Sequence, residues 1–176
     1  MEFKKLIEMR RSVRAYASAA SKEDIEAILE LAQQAPSWKN GQPTRCYAVT
    51  SPEMVAKVSA EGLPNYNQIS SAGASLIVTT YVKGISGWGA EGQQANEIGN
   101  GWGAYDLGIH DAYLVLAASE LGFDTLIMGM RDAAALREIL GIPEEEEVMS
   151  VISVGKRAKD PGSRPRKAVA EMTKFF

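Results

Sequence analysis

The sequence is poor in the residues that build disulfides and metal sites, since it contains one cysteine, Cys46, and one histidine, His110. One thiol forms no intramolecular disulfide, and this pair cannot supply the ligands of a zinc site, so we expect no metal. An excess of positive charge is also absent: 19 Lys and Arg against 22 Asp and Glu give a net charge of −3, which argues against nucleic-acid binding. No apolar run approaches the roughly 18 residues of a membrane span. The N-terminus lacks the apolar stretch of a secretory signal, so we expect a cytoplasmic protein with no membrane partner.

The 176 residues suffice for one domain, 1–176, whose core needs no covalent cross-link. Apolar residues at helical spacing, together with capping residues, predict about five helices, and runs of β-branched residues predict about four strands. We expect helices at 3–9, after Ser21, after Ser51-Pro52, at 104–121 and at 133–140, and strands at 46–50, 75–82, 124–128 and 148–154.

A basic segment follows the first predicted helix, where Arg10, Arg11 and Arg14 surround the hydroxyl of Ser12. Guanidinium groups beside a hydroxyl suit a phosphate dianion, because they offer several charge-assisted hydrogen bonds. A solvated basic turn has the same composition. The segment alone therefore leaves both interpretations open.

Two other segments carry groups suited to a ligand. Residues 36–43 hold Ser37, Asn40 and Gln42 between two prolines, and side-chain amides can both donate to and accept from the edge of a heterocycle. Met128-Gly129-Met130 follows a predicted strand, a position where sheets expose ligand sites, although this signal is weak by itself.

A long irregular stretch lies between the predicted strand 75–82 and the predicted helix 104–121. We call residues 83–103 the glycine–tryptophan segment, since it holds seven glycines with Trp88 and Trp102. It is too irregular for a core element and too long for an ordinary connection, which predicts a functional loop or lid. The tryptophans either line an acceptor pocket or pin the loop, and we favour the pocket.

Several residues have plainer interpretations. We expect His110 to be a packed side chain rather than an acid, Cys46 to fill apolar space, and the run of four glutamates at 144–147 to be a solvated turn. The tail, residues 157–176, is basic and contains prolines but ends in Phe175-Phe176. Because such a tail cannot form a core alone, we expect it to dock on a partner subunit.

In this order along the chain, the segments resemble the nitroreductase family of FMN-dependent oxidoreductases. The resemblance is carried by Arg10-Arg11-Ser12-Val13-Arg14, Ala35-Pro36-Ser37 with Asn40-Gly41-Gln42-Pro43, Leu116-Ala117-Ala118 with Leu121-Gly122, Met128-Gly129, and Arg164-Pro165-Arg166-Lys167. It implies an α+β fold with a central, mostly antiparallel sheet flanked by helices. It also implies an interlocked homodimer that exchanges termini and holds FMN at its interface.

The resemblance further implies which residues contact FMN. Arg10, Ser12 and Arg14 would hold the phosphate, ribityl chain and pyrimidine edge, Arg164 and Arg166 would close on the phosphate, and Arg11 would reach it through its backbone. The other subunit would supply Pro36, Ser37, Trp38 and Asn40. Met128 and Gly129 would present backbone N–H groups near flavin N5 and O4, and Asn67 and Gln68 are candidates for the pyrimidine ring.

The implied activity is ping-pong hydride transfer through flavin N5, from NADH or NADPH to an electron-poor nitroaromatic or quinone. Such chemistry needs no side-chain nucleophile. Thr44 replaces an aromatic residue found in many members and Met128 a glutamate found in some, which leaves the acceptor open. The alternatives are another acceptor (an enone, a halogenated aromatic or a free flavin), a flavin-binding protein without turnover, and a phosphate-binding interaction module.

Overall fold

The computed structural model describes residues 2–176 and contains one five-stranded sheet. Its strands are β1 (Tyr16–Ala19), β2 (Thr44–Val49), β3 (Ser75–Val82), β4 (Asp124–Met128) and β5 (Glu146–Arg157). The long strand β5 lies at the centre and pairs with β1, β3 and β4, and β3 pairs with β2; each of these pairings is antiparallel. Gly155 is in register with both Ala19 and Asp124, so β1 and β4 lie on opposite sides of β5.

Residues 2–176 contain seven α-helices: α1 (Phe3–Met9), α2 (Lys22–Ala32), α3 (Pro52–Gly62), α4 (Asn65–Ser71), α5 (Gly101–Glu120), α6 (Ala133–Leu140) and, in the exposed C-terminal tail, α7 (Val169–Met172). Their ends follow local signals. Ser21 forms a capping box at the start of α2, and the hydroxyl of Ser51 accepts from the third residue of α3. Asp132 caps α6, which ends at Gly141 in the left-handed conformation.

Helices cover both faces of the sheet. Alternate residues of a strand point to opposite faces, and in β3 Ile77 packs with α2 and α5 while its neighbours Leu76 and Val78 pack with α3 and α6. Both clusters are closed by residues of β5, which is buried from Val148 to Gly155 apart from Met149. The predicted α+β fold, with an antiparallel sheet flanked by helices, is confirmed.

The prediction of five helices and four strands was too low. It omitted β1, α4 and α7, none of which has an apolar period: β1 reads Tyr-Ala-Ser-Ala with its last three residues exposed, and α4 is mostly polar. The glycine–tryptophan segment is also shorter than expected, because α5 begins at Gly101. A Cβ at Gly103 would lie 2.3 Å from the Tyr81 ring, so glycine is needed there for the helix to approach β3.

The prediction of a solvated turn at residues 144–147 was wrong for Glu146, which is buried. Its carboxylate accepts hydrogen bonds from the hydroxyls of Tyr47 at 2.9 Å and Thr80 at 2.5 Å. Burial, together with this hydrogen bond and the negative charge of Glu146, raises the pKa of Tyr47 to about 12. Glu146 is therefore the first residue of β5 and part of the sheet, not of the turn before it.

The chain after β5 contributes no buried residue. Every residue from 158 to 176 is exposed, including the apolar Met172 (75%) and Phe175 (86%). Among residues 2–176, no helix has the length and apolar character that a membrane crossing requires, and no group of three or more His, Cys, Asp or Glu side chains is placed to hold a metal ion.

Candidate functional site

The basic segment runs in an extended conformation along the outer edge of β4. Ser12 forms a parallel bridge with Thr125, and the Val13 N–H donates to the Thr125 carbonyl at 3.0 Å. Val13 is buried, so the neighbouring Ser12 and Arg14 face the opposite way, toward solvent. The local backbone therefore presents a hydroxyl and a guanidinium on one accessible surface.

The charge of Arg10 is affected by burial and by other cations of this region. Partial burial lowers its pKa, and the positive charges of Arg166 and Arg11 lower it further. The charge of Arg166, in the C-terminal tail, thus acts on a residue near the opposite end of the chain. The ion pairs of residues 2–176 involve Lys22, Arg157 and His110, not Arg10 or Arg166. A cluster of cations without a carboxylate partner fits a dianionic phosphate better than it fits a solvated turn.

The other predicted members of the basic cluster differ in their side-chain contacts. The guanidinium of Arg11 donates to the carbonyls of Glu8 at 2.5 Å and of Arg10 at 2.9 Å, so it closes the end of α1. The Arg11 guanidinium is therefore occupied by backbone carbonyls of its own segment. Arg14 contacts the Ser12 carbonyl at 3.5 Å, and Arg164 lies in the exposed tail.

Residues 36–43 form what we call the strained loop. Lys39, Asn40 and Gln42 have φ values of 49°, 56° and 47°, in the left-handed region that non-glycine residues seldom adopt. Such conformations cost about 1–3 kcal/mol each and persist where the surroundings enforce them, often at ligand sites. The hydroxyl of Ser37 accepts the Gln42 N–H at 3.0 Å and holds the loop closed.

A buried aspartate on α5 fixes the start of this loop. Asp106 Oδ2 accepts the Trp38 N–H at 2.9 Å and the Ser86 hydroxyl at 2.6 Å. Asp106 is not among the site residues predicted from the sequence. The available signal was an acidic residue on the buried face of the predicted helix 104–121, where a carboxylate needs hydrogen-bond donors.

Aromatic rings extend the contact between the strained loop and α5. The ring centroids of Trp38 and Trp102 are 4.8 Å apart, and those of Trp102 and Tyr105 are 5.3 Å apart. The indole N–H groups of Trp38 and Trp102 are buried and have no acceptor among residues 2–176. Two unsatisfied donors beside the strained loop fit a site that another polar group completes.

The two tryptophans of the glycine–tryptophan segment have different surroundings. Trp88 donates its indole N–H to Asn100 Oδ1 at 2.8 Å, and the same oxygen accepts the Gly84 N–H at 2.9 Å. Trp88 therefore pins the segment, whereas Trp102 packs against the predicted flavin contact Trp38. Between them, the Gly89 N–H donates to the Gln93 carbonyl at 2.8 Å in a tight exposed turn.

The segment after β4 is held by two side chains. The Arg131 guanidinium donates to the Gly129 carbonyl at 3.1 Å, and Asn67 Nδ2 donates to the Met130 carbonyl at 2.7 Å. Gly129 is exposed at the mouth of an open cavity of about 680 Å³. The Met128 side chain is buried in the core.

The structure separates the two candidates for the pyrimidine contact. Asn67 is 6% exposed and lies against the segment after β4, next to Gly129. Gln68 Nε2 donates to the Leu63 carbonyl at 2.7 Å, so its amide nitrogen serves the connection between α3 and α4. Both amide nitrogens therefore donate to a backbone carbonyl, and Asn67 does so in the segment that follows β4.

The residues with plainer interpretations lie inside the protein. His110 is buried, as expected, with Nδ1 3.6 Å from Asp111 Oδ1. Cys46 is half-buried and packs against the core cluster of α2 and α5. Burial, with a smaller effect of the Asp111 charge, raises the pKa of its thiol to about 12.

The sheet and its helices define an α+β protein, and comparison with known proteins gives the family. A sequence profile described as the Nitroreductase family matches residues 7–80 and 88–156. A relative from Archaeoglobus fulgidus, named as an NADH dehydrogenase/NAD(P)H nitroreductase, is 34% identical over 161 residues, covering 86% of this chain and 83% of the relative. The chain belongs to the nitroreductase family.

Solved structures give the same fold. A nitroreductase from Exiguobacterium sibiricum, crystallised in complex with FMN, has a TM-score of 0.80 at 22% identity and covers 100% of this chain and 98% of its own. CLA-ER, an enone reductase of gut-bacterial fatty acid saturation, has a TM-score of 0.84 at 18% identity, with 99% and 97% covered. The predicted family and fold are confirmed, and the family supports the predicted NAD(P)H-dependent oxidoreductase with FMN as cofactor.

Proposed function

We propose that the protein is an FMN-dependent oxidoreductase that takes electrons from NADH or NADPH and reduces an electron-poor acceptor of the nitroaromatic or quinone type. The observation that carries this proposal is the cluster around Arg10, which is close enough to Arg11 and to Arg166 of the tail for both charges to act on it. Membership of the nitroreductase family makes the phosphate of FMN the natural ligand for this cluster.

In this proposal Arg10, Arg164 and Arg166 hold the phosphate, Ser12 the ribityl chain and Arg14 the pyrimidine edge, with a backbone contact from Arg11. The accessible face of the basic segment supports these roles, since it offers Ser12 and Arg14 together. Gly129 and Met128 would contribute backbone N–H groups near N5 and O4. Asn67, and less directly Gln68, would approach the pyrimidine ring.

We place the strained loop, with Pro36, Ser37, Trp38 and Asn40, against the FMN of the partner subunit in a homodimer. The sheet supports this assignment, because the basic segment lies outside β4 while the loop leads into β2 at the other edge. Four strand spacings separate the two edges, about 19 Å. The register also places Thr44 and Thr125 near opposite ends of the sheet, about 20 Å apart along the strands. Such a diagonal exceeds the reach of one FMN molecule.

The tail, residues 157–176, supplies a second argument for the dimer. It carries Arg166 to the basic cluster and then continues, fully exposed, to Phe175 and Phe176. Apolar side chains with this exposure are stabilised when they are buried against another subunit. We propose that the tail docks on the partner.

When bound, FMN supplies hydride transfer at N5. The residues of the chain bind and orient it: the cations fix the phosphate end, and Arg14 near the pyrimidine edge stabilises negative charge on the reduced ring, as an oxyanion site does. Trp102, against Trp38, offers a flat apolar surface that excludes water from the acceptor side. No side chain is required as a nucleophile.

The purified protein tests the proposal directly. We expect a yellow protein with about one FMN per chain whose colour bleaches with NADH or NADPH without oxygen and returns on addition of a nitroarene or quinone. A colourless protein that binds phosphate alone would favour an interaction module. A yellow protein that no nicotinamide bleaches would be a passive flavin binder. Return of the colour only with an enone, a halogenated aromatic or free flavin would change the acceptor class.

A further inference from the structure

A single carboxylate oxygen joins two segments that lie far apart in the sequence. Asp106 is 3% exposed, and its Oδ2 accepts both the Trp38 N–H at 2.9 Å and the Ser86 hydroxyl at 2.6 Å. Trp38 belongs to the strained loop and Ser86 to the glycine–tryptophan segment. Ser86 is itself buried, at 1% exposure, so water does not compete easily for this contact.

Two apolar contacts connect the same segments. The Trp38 and Trp102 rings pack at 4.8 Å between centroids. Gly41 lies so close to Ile85 that a Cβ at position 41 would be 2.8 Å from the Ile85 Cγ2 atom. The strained loop therefore rests on the glycine–tryptophan segment, and Asp106 is the polar joint between them.

We propose that Asp106 is a positioning residue that couples the glycine–tryptophan segment to the strained loop, so that a change at Ser86 alters how firmly the Trp38 backbone is held. The inference rests on the proposed function, in which the strained loop contacts the FMN of the partner subunit. The acceptor side of one protomer thereby influences the cofactor that the two protomers share.

The two hydrogen bonds that Asp106 accepts can be weakened or removed separately by substitution. Hydrogen bonds to a carboxylate are roughly twice as strong as those between neutral groups. Both donors converge on Oδ2, so the single amide oxygen of an asparagine can accept both in the same geometry. Asp106→Asn keeps the connection in weakened form, Asp106→Ala removes it, and Ser86→Ala removes only the half that belongs to the glycine–tryptophan segment.

Hydrogen exchange of the apoprotein and FMN titration measure the coupling. We expect Asp106→Ala to accelerate exchange of the Trp38 amide and of residues 84–89 at least tenfold, and to raise the Kd of FMN about ten- to a hundredfold. Ser86→Ala should accelerate both regions and weaken FMN several-fold, although position 86 lies outside the strained loop. Asp106→Asn should remain within several-fold of the wild type in both measurements.

Asp111→Ala is the matched control, because Asp111 is a buried aspartate of the same helix whose carboxylate accepts from Thr79 and Ser150 of the sheet instead. If it changes Trp38 exchange as much as Asp106→Ala does, the effect is general destabilisation and the proposal is wrong. The proposal is also wrong if Ser86→Ala leaves the Trp38 amide and FMN binding unchanged. Should Asp106→Ala fail to fold, Ser86→Ala and Asp106→Asn decide the question.

Failure of the proposed function has a different signature. A wild-type protein that binds no FMN, with Ser86→Ala still accelerating exchange at Trp38, would remove the cofactor assignment and leave the coupling in place.

Discussion

Replacing Arg10 with alanine is expected to have opposite effects on the empty and the FMN-loaded protein. The lowered pKa of Arg10 shows that the folded chain disfavours its charge, through burial and through the nearby cations Arg166 and Arg11. Arg10→Ala removes this repulsion, so the apoprotein should unfold at the same temperature as the wild type or higher. In the loaded protein the same change removes a charge-assisted contact to phosphate, which costs about 1.5–3 kcal/mol, or a ten- to hundredfold weaker Kd.

Thermal unfolding with and without FMN separates the two effects. Ligand at a hundred times its Kd stabilises a protein by about 2.7 kcal/mol, and 1 kcal/mol shifts Tm by roughly 2–4 °C at this size. At the same FMN concentration, a ten- to hundredfold weaker Kd leaves only about 1.4 to 0.4 kcal/mol of that stabilisation, so the loaded Tm should fall by roughly 3–9 °C. Lys5→Ala, an exposed cation of α1, is the control and should change neither value. A lower apoprotein Tm with unchanged FMN affinity would show that Arg10 serves the fold and not the phosphate.

Three further predictions concern the tail, the tryptophans and alkaline pH. Removal of residues 158–176 should give a monomer without flavin in light scattering and absorbance, and a flavin-loaded dimer would contradict tail docking. Trp102→Ala should change the order of kcat/KM among acceptors while FMN loading stays intact, whereas Trp88→Ala should keep the wild-type order. If both variants keep the wild-type order, Trp102 does not contact the acceptor. Burial raises the pKa of Tyr16 to about 12, against about 10 when unfolded. Its stabilisation is therefore complete below pH 10 and is lost as pH rises toward 12. Tyr16→Phe should flatten that fall in unfolding free energy, and an unchanged slope would contradict the assignment.

The parts of the fold that were predictable are those specified by neighbouring residues. The cap at Ser21, the Ser51-Pro52 start of α3 and the Asp132 and Gly141 ends of α6 are local signals, and the structure has each of them. Strand β1 could not be found this way, because it is a strand only through pairing with Lys156 and its neighbours at the far end of β5. Such a strand forms through tertiary contacts, which the hydrophobic periodicity of its own residues does not indicate.

The candidate site also has a part that could be predicted from the sequence and a part that could not. The basic segment and the strained loop were visible as residue types in short windows, and the resemblance to a family added their roles. Asp106 was not identified, because its partner Trp38 is 68 residues away and the sequence shows only an acidic residue among apolar ones. The contrast between Trp88 and Trp102 also needed three dimensions, since both stand between glycines in the chain.

The proposed division of the candidate site between two protomers predicts that assembly and cofactor binding are linked equilibria. The cations lie outside β4 and the strained loop leads into β2, so a single protomer offers FMN only half of its proposed contacts. If each cofactor needs both chains, FMN must favour the dimer by the same factor by which the dimer favours FMN. The apparent Kd of FMN should therefore rise as the protein is diluted. In analytical ultracentrifugation, added FMN should lower the protein concentration at which the dimer dissociates. An FMN affinity that stays constant from micromolar protein down to concentrations where the chain is monomeric would place the whole site within one protomer, and the strained loop would then need another role.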